Sequence, residues 1–389
     1  MDAQERVLMT LRHEEPDRVP AFEIVVTNNT IWRHFGVNPS ANLGDALKSL
    51  RFIPFRHKLM WNALGNRKFI AAGLRAGAKF YQAAGLDLSL SNTAPFPRKL
   101  LKGGQFIDEC GRHMRFEYAP DGSEILGYVE GGFKSFEDYE SWELPDPAWE
   151  GRLNNYLAGA DVQRELENEV YIIPTTTGLL EVTWEGFGMN IFARILQKTA
   201  QAQKVFDDRG KFAVEMVKIL AENGAQVVLI YDDWGFKDGL FMSPRQFRQY
   251  VLPWMKKICD TAHKRDCKII LHSDGDLMSI LPELVDTGVD ALNPIESTTA
   301  NPEYNIFKLK EQYGDRLTLI GNLSPVMLAF GDYADIEAYA KRLLRECAPG
   351  GGYIYAAGHT INPAVTLDRF LLMQEIRKKY GTYPIQIPD

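Results

Sequence analysis

The sequence predicts an α/β protein, a closed (β/α)8 TIM barrel with N-terminal helices and a β-hairpin insertion, and three observations carry that expectation. Short, apolar, β-branched segments alternate with helical patterns from residue 169 onward. Two more such segments lie upstream and bring the strands to eight. With 28–86 and 95–168 set aside as insertions, the span 18–380 leaves about 230 residues, close to the ~250 of a bare barrel. Eight βα units in series favour closure, because a parallel sheet needs both faces covered. An open doubly wound sheet is the alternative.

The first expected strand is Arg18 to Val26 (RVPAFEIVV), and the second, Leu86 to Leu90, follows a helix from Lys68 to Ala84. The other six run over 170–174, 226–231, 268–272, 291–294, 317–320 and 352–356. Helical periodicity separates them at 180–197, 202–222, 244–264, 277–285, 304–312, 336–346 and 367–379. In the second insertion, Pro120-Asp121-Gly122 stands between two alternating runs and predicts a hairpin turn. No repeat or low-complexity linker interrupts the chain, so one elaborated domain over 1–389 is expected.

Composition narrows the function. The 44 Lys and Arg against 51 Asp and Glu give a net charge of −7, with no basic block, so no nucleic-acid partner is expected. No apolar run approaches the ~20 residues of a membrane span, and MDAQERVLMT does not read as a signal peptide. Four cysteines without a CxxC pair suit reduced thiols, so the expected location is cytoplasmic.

In such a barrel the chemistry sits where strands run into the loops that follow them. The ends supply Glu23, Asn92, Glu181, Glu185, Asp232, Asp233, His272, Asp274, Asn293, Glu296, Asn322 and His359, a cavity rich in carboxylates. His272 and Asp274 are two apart and share a side of the strand. With His359 they form a zinc-type set with an open position, for which Glu181 is a fourth candidate ligand. The plainer reading makes Asp274 the N-cap of a helix near Leu277 and the histidines satisfied core residues. Glu181 and Glu185 are four apart on one helix face, where burial would raise their pKa, or else they form a solvated face. Only one of Asp232 and Asp233 can face the cavity. Tyr231, Trp184 and Trp234 are candidates for stacking a substrate ring, and Glu23 and Asn293 for contacting it; core packing and loop fixing explain these residues too. No Gly-rich phosphate loop is present.

The strings RVPAFE, YDDWGFKDGLFMSPRQFRQYVLPWMKKICDTAH, LHSDGDLMSILPELVDTGVDALNPIE and AAGHTINPAVTLDRF resemble the uroporphyrinogen decarboxylase superfamily, in its branch of corrinoid-linked methyltransferases. The resemblance spans nearly the whole chain in order and implies a barrel with its cavity at the strand C-termini. Two departures sort the branches. The decarboxylases carry an arginine pair after the first strand, where this chain reads EIVVTNN with Val25 and Asn29 at roughly those positions. The zinc methyltransferases of coenzyme M carry His-x-Cys and a later Cys, where this chain has His272, Asp274 and His359. Loss of thiolates makes the site harder and points away from a thiol substrate.

The resemblance implies methyl transfer from a small-molecule donor, a methoxylated aromatic or methylamine-type compound, to cobalamin on a corrinoid protein partner. Zinc on His272, Asp274, His359 and Glu181 would be the Lewis acid, and Asp233, Glu185 or Asp232 the proton source. A homodimer is among the admissible assemblies. One rival is a decarboxylase acting on a smaller carboxylated substrate. Another is a non-catalytic barrel that binds a small ligand or a corrinoid protein.

Overall fold

The computed structural model describes residues 1–38 and 56–387; the 39–55 part of the expected 28–86 insertion lies outside them. In chain order, β1 (Leu88–Asn92) belongs to the main sheet. Four strands, β2 (Pro97–Leu100), β3 (Phe106–Asp108), β4 (Arg112–Tyr118) and β5 (Glu124–Gly131), make a separate antiparallel sheet. The main sheet resumes with β6 (Tyr171–Thr177) and β7 (Val227–Tyr231). A two-residue pair, β8 (Gly235–Phe236) with β9 (Gly239–Leu240), precedes β10 (Lys268–His272), β11 (Ala291–Asn293), β12 (Thr318–Leu323) and β13 (Tyr353–Ala357).

The main sheet has seven parallel strands in the order β1-β6-β7-β10-β11-β12-β13 and curls around its own inner face. Strand alternation divides the core. Ile173, Leu229, Ile270, Ile320 and Ile354 pack inside the curl against Val7 and Leu11 of the N-terminal helix Ala3–Leu11. Val228, Ile230, Ile269 and Leu271 face the outer helices. These side chains are fully buried, each contributing about 1.5–3 kcal/mol of transfer free energy.

The predicted first strand, Arg18 to Val26, is not a regular strand and leaves the main sheet with seven of the eight expected. It makes only isolated bridges, Ala21 to Tyr355 and Val26 to Ile361 among them. Pro20 lacks the N–H that a continuous ladder needs. The segment still lies between the sheet's edges: Phe22 N donates to Tyr355 O (3.0 Å), Tyr355 N to Pro20 O (2.9 Å) and Asp87 N to Ala21 O (2.8 Å).

Two expected helices are interrupted. The 180–197 pattern forms Glu181–Phe187 and Met189–Leu196, broken at Gly188, whose φ of +74° favours glycine. The 244–264 pattern widens to a π-turn over Phe247–Val251 before Leu252–His263, and Pro253 lacks the N–H an unbroken α ladder would use. The hairpin turns at Pro120-Asp121-Gly122 as expected, but it is the β4–β5 part of the four-stranded sheet. No helix among the described residues is long and apolar enough to cross a membrane. The four cysteines are free and buried.

Candidate functional site

Leu229 and Tyr231 of β7 face the inside, so the next inward position is Asp233 and Asp232 points outward. The buried Asp232 carboxylate accepts N–H bonds from Leu179 (2.8 Å), Leu180 (2.7 Å), Glu181 (2.8 Å) and the Trp234 indole (2.6 Å). It thus caps the helix Glu181–Phe187, and its oxygens are committed. Gly178 permits this approach, since a Cβ there would stand 2.2 Å from the Asp232 Cβ.

On β10, Ile270 and His272 face inward and Asp274 is the next inward position. Asp233, His272 and Asp274 bring ligand-capable atoms within 4.8 Å of one another. His272 Nδ1–H donates to Asn293 Oδ1 at 2.9 Å, which leaves Nε2 facing Asp233 Oδ1 at 3.7 Å. The Asp274 amide donates to the same Asp233 oxygen at 3.0 Å. Asp274 Oδ2 pairs with His359 Nε2 at 3.1 Å, and its Oδ1 is buried without a partner. Burial raises the Asp233 pKa. Burial also pushes Asp274 upward, but His359 and His272 outweigh it and leave that carboxyl below its ordinary value. His359 is raised by its bond to Asp274.

Of the expected ligands, the structure brings His272 and Asp274 together. Asp233 joins them within the same distance, and His359, half-exposed, pairs with Asp274 at the edge of the three. Glu181 faces the Arg112 guanidinium at 3.4 Å, and Glu185 meets the same nitrogen at 2.8 Å. Burial raises both glutamates to about 7, with Arg112 pulling each down. Arg112 also binds Asp108 (2.7 Å), so one buried cation serves three carboxylates. Sequence reasoning missed Arg112. The available signal is local: Asp108 accepts the Cys110 and Arg112 amides (2.8 and 3.0 Å) around Gly111 at φ +85°, a turn that aims Arg112.

The ring and contact candidates divide in the same way. Tyr231 stands edge-on to His272 with centroids 5.2 Å apart, beside the cluster. Trp184 is half-buried, stacked on Phe241 at 5.2 Å. Trp234 is fully buried against Phe247, its N–H held by Asp232, so it offers no face to a ligand. Glu23 is turned out of the cavity, because its neighbours Phe22 and Ile24 fill the inside. It is buried and accepts the Ala357 amide at 3.1 Å.

A curled parallel sheet with acids and a histidine gathered at its strand ends is the architecture of barrel-like α/β proteins, whose sites lie at those ends. The uroporphyrinogen decarboxylase (URO-D) family pattern matches residues 114–380, and the chain belongs to that family. It is 28% identical over 258 residues to a uroporphyrinogen decarboxylase of Thioalkalivibrio sulfidiphilus, covering 60% of this chain and 67% of that protein. With the one from Aeromonas salmonicida it shares 29% over 274 residues, covering 63% and 71%. A methyltransferase from Methanosarcina mazei has the same fold over 98% of this chain and 99% of its own, with a TM-score of 0.67 at 20% identity.

Proposed function

We propose that this protein is a methyltransferase that moves a methyl group from a methoxylated aromatic or methylamine-type donor to cobalamin carried by a separate corrinoid protein. The observation that carries this reading is the Asp233, His272 and Asp274 cluster, with Asp274 Oδ1 buried and unpartnered. Two carboxylates and one imidazole fit zinc with a position left open, and the absence of thiolates from this set suits an oxygen or nitrogen leaving group. Zinc held there would supply Lewis acidity to that leaving atom.

The chain's own residues do the rest. Asn293 fixes the His272 ring through Nδ1, and His359 orients Asp274 through Oδ2. Glu181 and Glu185, raised to about 7, hold a proton in the cavity at neutral pH for the leaving oxygen. Arg112 keeps that proton transferable by favouring the ionised form. Tyr231 presents its ring beside the cluster to an aromatic donor. This reading takes residues 20–22 as the eighth stave of a single closed barrel domain, with the corrinoid protein reaching the strand ends.

The full-length likeness to a methyltransferase fold supports methyl transfer. The curated relatives' name favours decarboxylation instead. Against it, Val25 and Asn29 stand near the positions of the decarboxylases' arginine pair, and a carboxylate-rich cavity repels a polycarboxylate. Elemental analysis of the purified protein tests the proposal, with about one zinc per chain expected and lost in His272→Ala and Asp233→Asn. The loaded protein then methylates a reduced corrinoid protein from a methoxylated aromatic. A folded, zinc-free protein that releases CO2 from a carboxylated substrate overturns it.

A further inference from the structure

Arg209 is a buried cation that no acid pairs among the described residues. It lies in the helix Thr199–Glu222 and is 3% exposed. Its Nη2 donates to the Cys110 carbonyl at 3.0 Å, and its guanidinium carbon lies 5.7 Å from the Tyr139 ring centroid. Its Nε is buried and has no partner. Among the described residues no carboxylate pairs with Arg209, whereas the buried Arg6, Arg112 and Arg152 each meet one. A guanidinium out of water is costly unless an anion approaches it, and Nε is one edge of the fork that grips a carboxylate.

Arg209 lines a cavity of about 490 Å³ between the 144–147 segment and this helix. That volume lies within the roughly 300–1,000 Å³ of small-molecule sites. Leu144, Pro147 and Trp254 form apolar walls. Gly210 lets the Trp254 ring lie directly on the helix, since a Cβ there would stand 2.1 Å from it. The acids on the wall are already committed. Asp208 accepts from the Tyr139 hydroxyl (3.0 Å) and Lys204 (2.9 Å), and Glu215 accepts from Lys218 (2.8 Å). Lys211 on the same wall is exposed and, among the described residues, has no acid partner. The cavity thus combines an apolar body with two cations that no carboxylate pairs among the described residues.

We propose that this cavity binds a small organic carboxylate, with its carboxylate on Arg209, Lys211 at the opening and its apolar body against Leu144, Pro147 and Trp254. The site shares no residue with the Asp233, His272 and Asp274 cluster and does not depend on the methyl-transfer reading. Calorimetric titration of the full chain with benzoate and, separately, with inorganic phosphate tests it. Benzoate is expected to bind once per chain and more tightly than phosphate. Arg209→Gln, which retains a donor for Cys110, is expected to weaken benzoate about tenfold, as loss of a charge-assisted pair does. Should that variant fail to fold, Lys211→Glu decides, because it changes an exposed side chain; it is expected to weaken benzoate roughly threefold with an unchanged melting temperature. The proposal is overturned if benzoate gives no heat, if phosphate binds as tightly, if the foldable variants bind like wild type, or if Asp233→Asn abolishes binding and so places benzoate in the strand-end cavity.

Discussion

Glu23 sits out of water in contact with the Ala357 amide, and that alone sets a pH dependence. Burial pushes its carboxyl up to about 8, the Ala357 N–H opposing the rise. The folded chain therefore keeps a proton that the unfolded chain releases near the ordinary Glu value. Stability falls as pH rises from that value to about 8 and is flat beyond it. Glu23→Gln keeps the acceptor and removes the titration, so it is expected to melt near wild type at pH 5 and well above it at pH 9. Linkage over a shift of this size amounts to roughly 3–5 kcal/mol. Parallel melting curves for the two proteins across that range would remove Glu23 from the account. At this scale the sequence was partly legible. Alternation along a strand is a property of the backbone, so spacing put His272 and Asp274 on one side and limited the cavity to one of Asp232 and Asp233, while the choice of Asp233 needed the inward phase of Leu229 and Tyr231. The same rule turns Glu23 outward, once Phe22 is known to face in; from the sequence alone its phase in an irregular segment was undetermined.

The helix Glu181–Phe187 has seven residues, too few to persist without tertiary support. No residue just before it supplies a side-chain cap. Asp232, arriving from β7, binds the Glu181 amide that opens the helix, the Leu179 and Leu180 amides just before it and the Trp234 indole. Asp232→Ala removes a cap and strands four buried donors, with an expected loss of about 3 kcal/mol or more in denaturant unfolding. Because the same helix carries Glu181 and Glu185, activity should fall with stability, and restoring the melting temperature with a ligand should not restore it. A variant with near wild-type stability would show that water replaces the cap at no cost. This dependence explains which elements could be read. Long apolar strands and the helices between them carry their own periodic signal. Caps supplied from 51 residues away, the break at Gly188 and the irregular 18–26 segment depend on partners that a local window does not contain.

One cation ties the antiparallel insertion sheet to the two glutamates of the main fold. Arg112 leaves β4 and reaches the helix after β6, binding Asp108 beneath it and Glu185 and Glu181 across the boundary. Gly131 at the end of β5 lets the sheet close onto the Phe187 backbone, where a Cβ would stand 2.3 Å from its carbonyl carbon. No spacing rule links residues 69 to 73 positions apart in different sheets, which is why the hairpin was legible and its contact with the cavity was not. Arg112→Met keeps the volume and removes the charge. Breaking a buried pair from one side typically costs roughly 3–5 kcal/mol, and here the cost should depend on pH. Without Arg112, the Glu181 and Glu185 carboxyls rise further above 7. The folded variant then holds more protons than folded wild type above pH 7, so its stability falls more steeply there as pH increases. Urea unfolding at pH 6 and at pH 8.5 should show a smaller deficit at the lower value. A deficit equal at both would mean that Arg112 acts through Asp108 and packing alone, and that the two glutamates do not titrate against it.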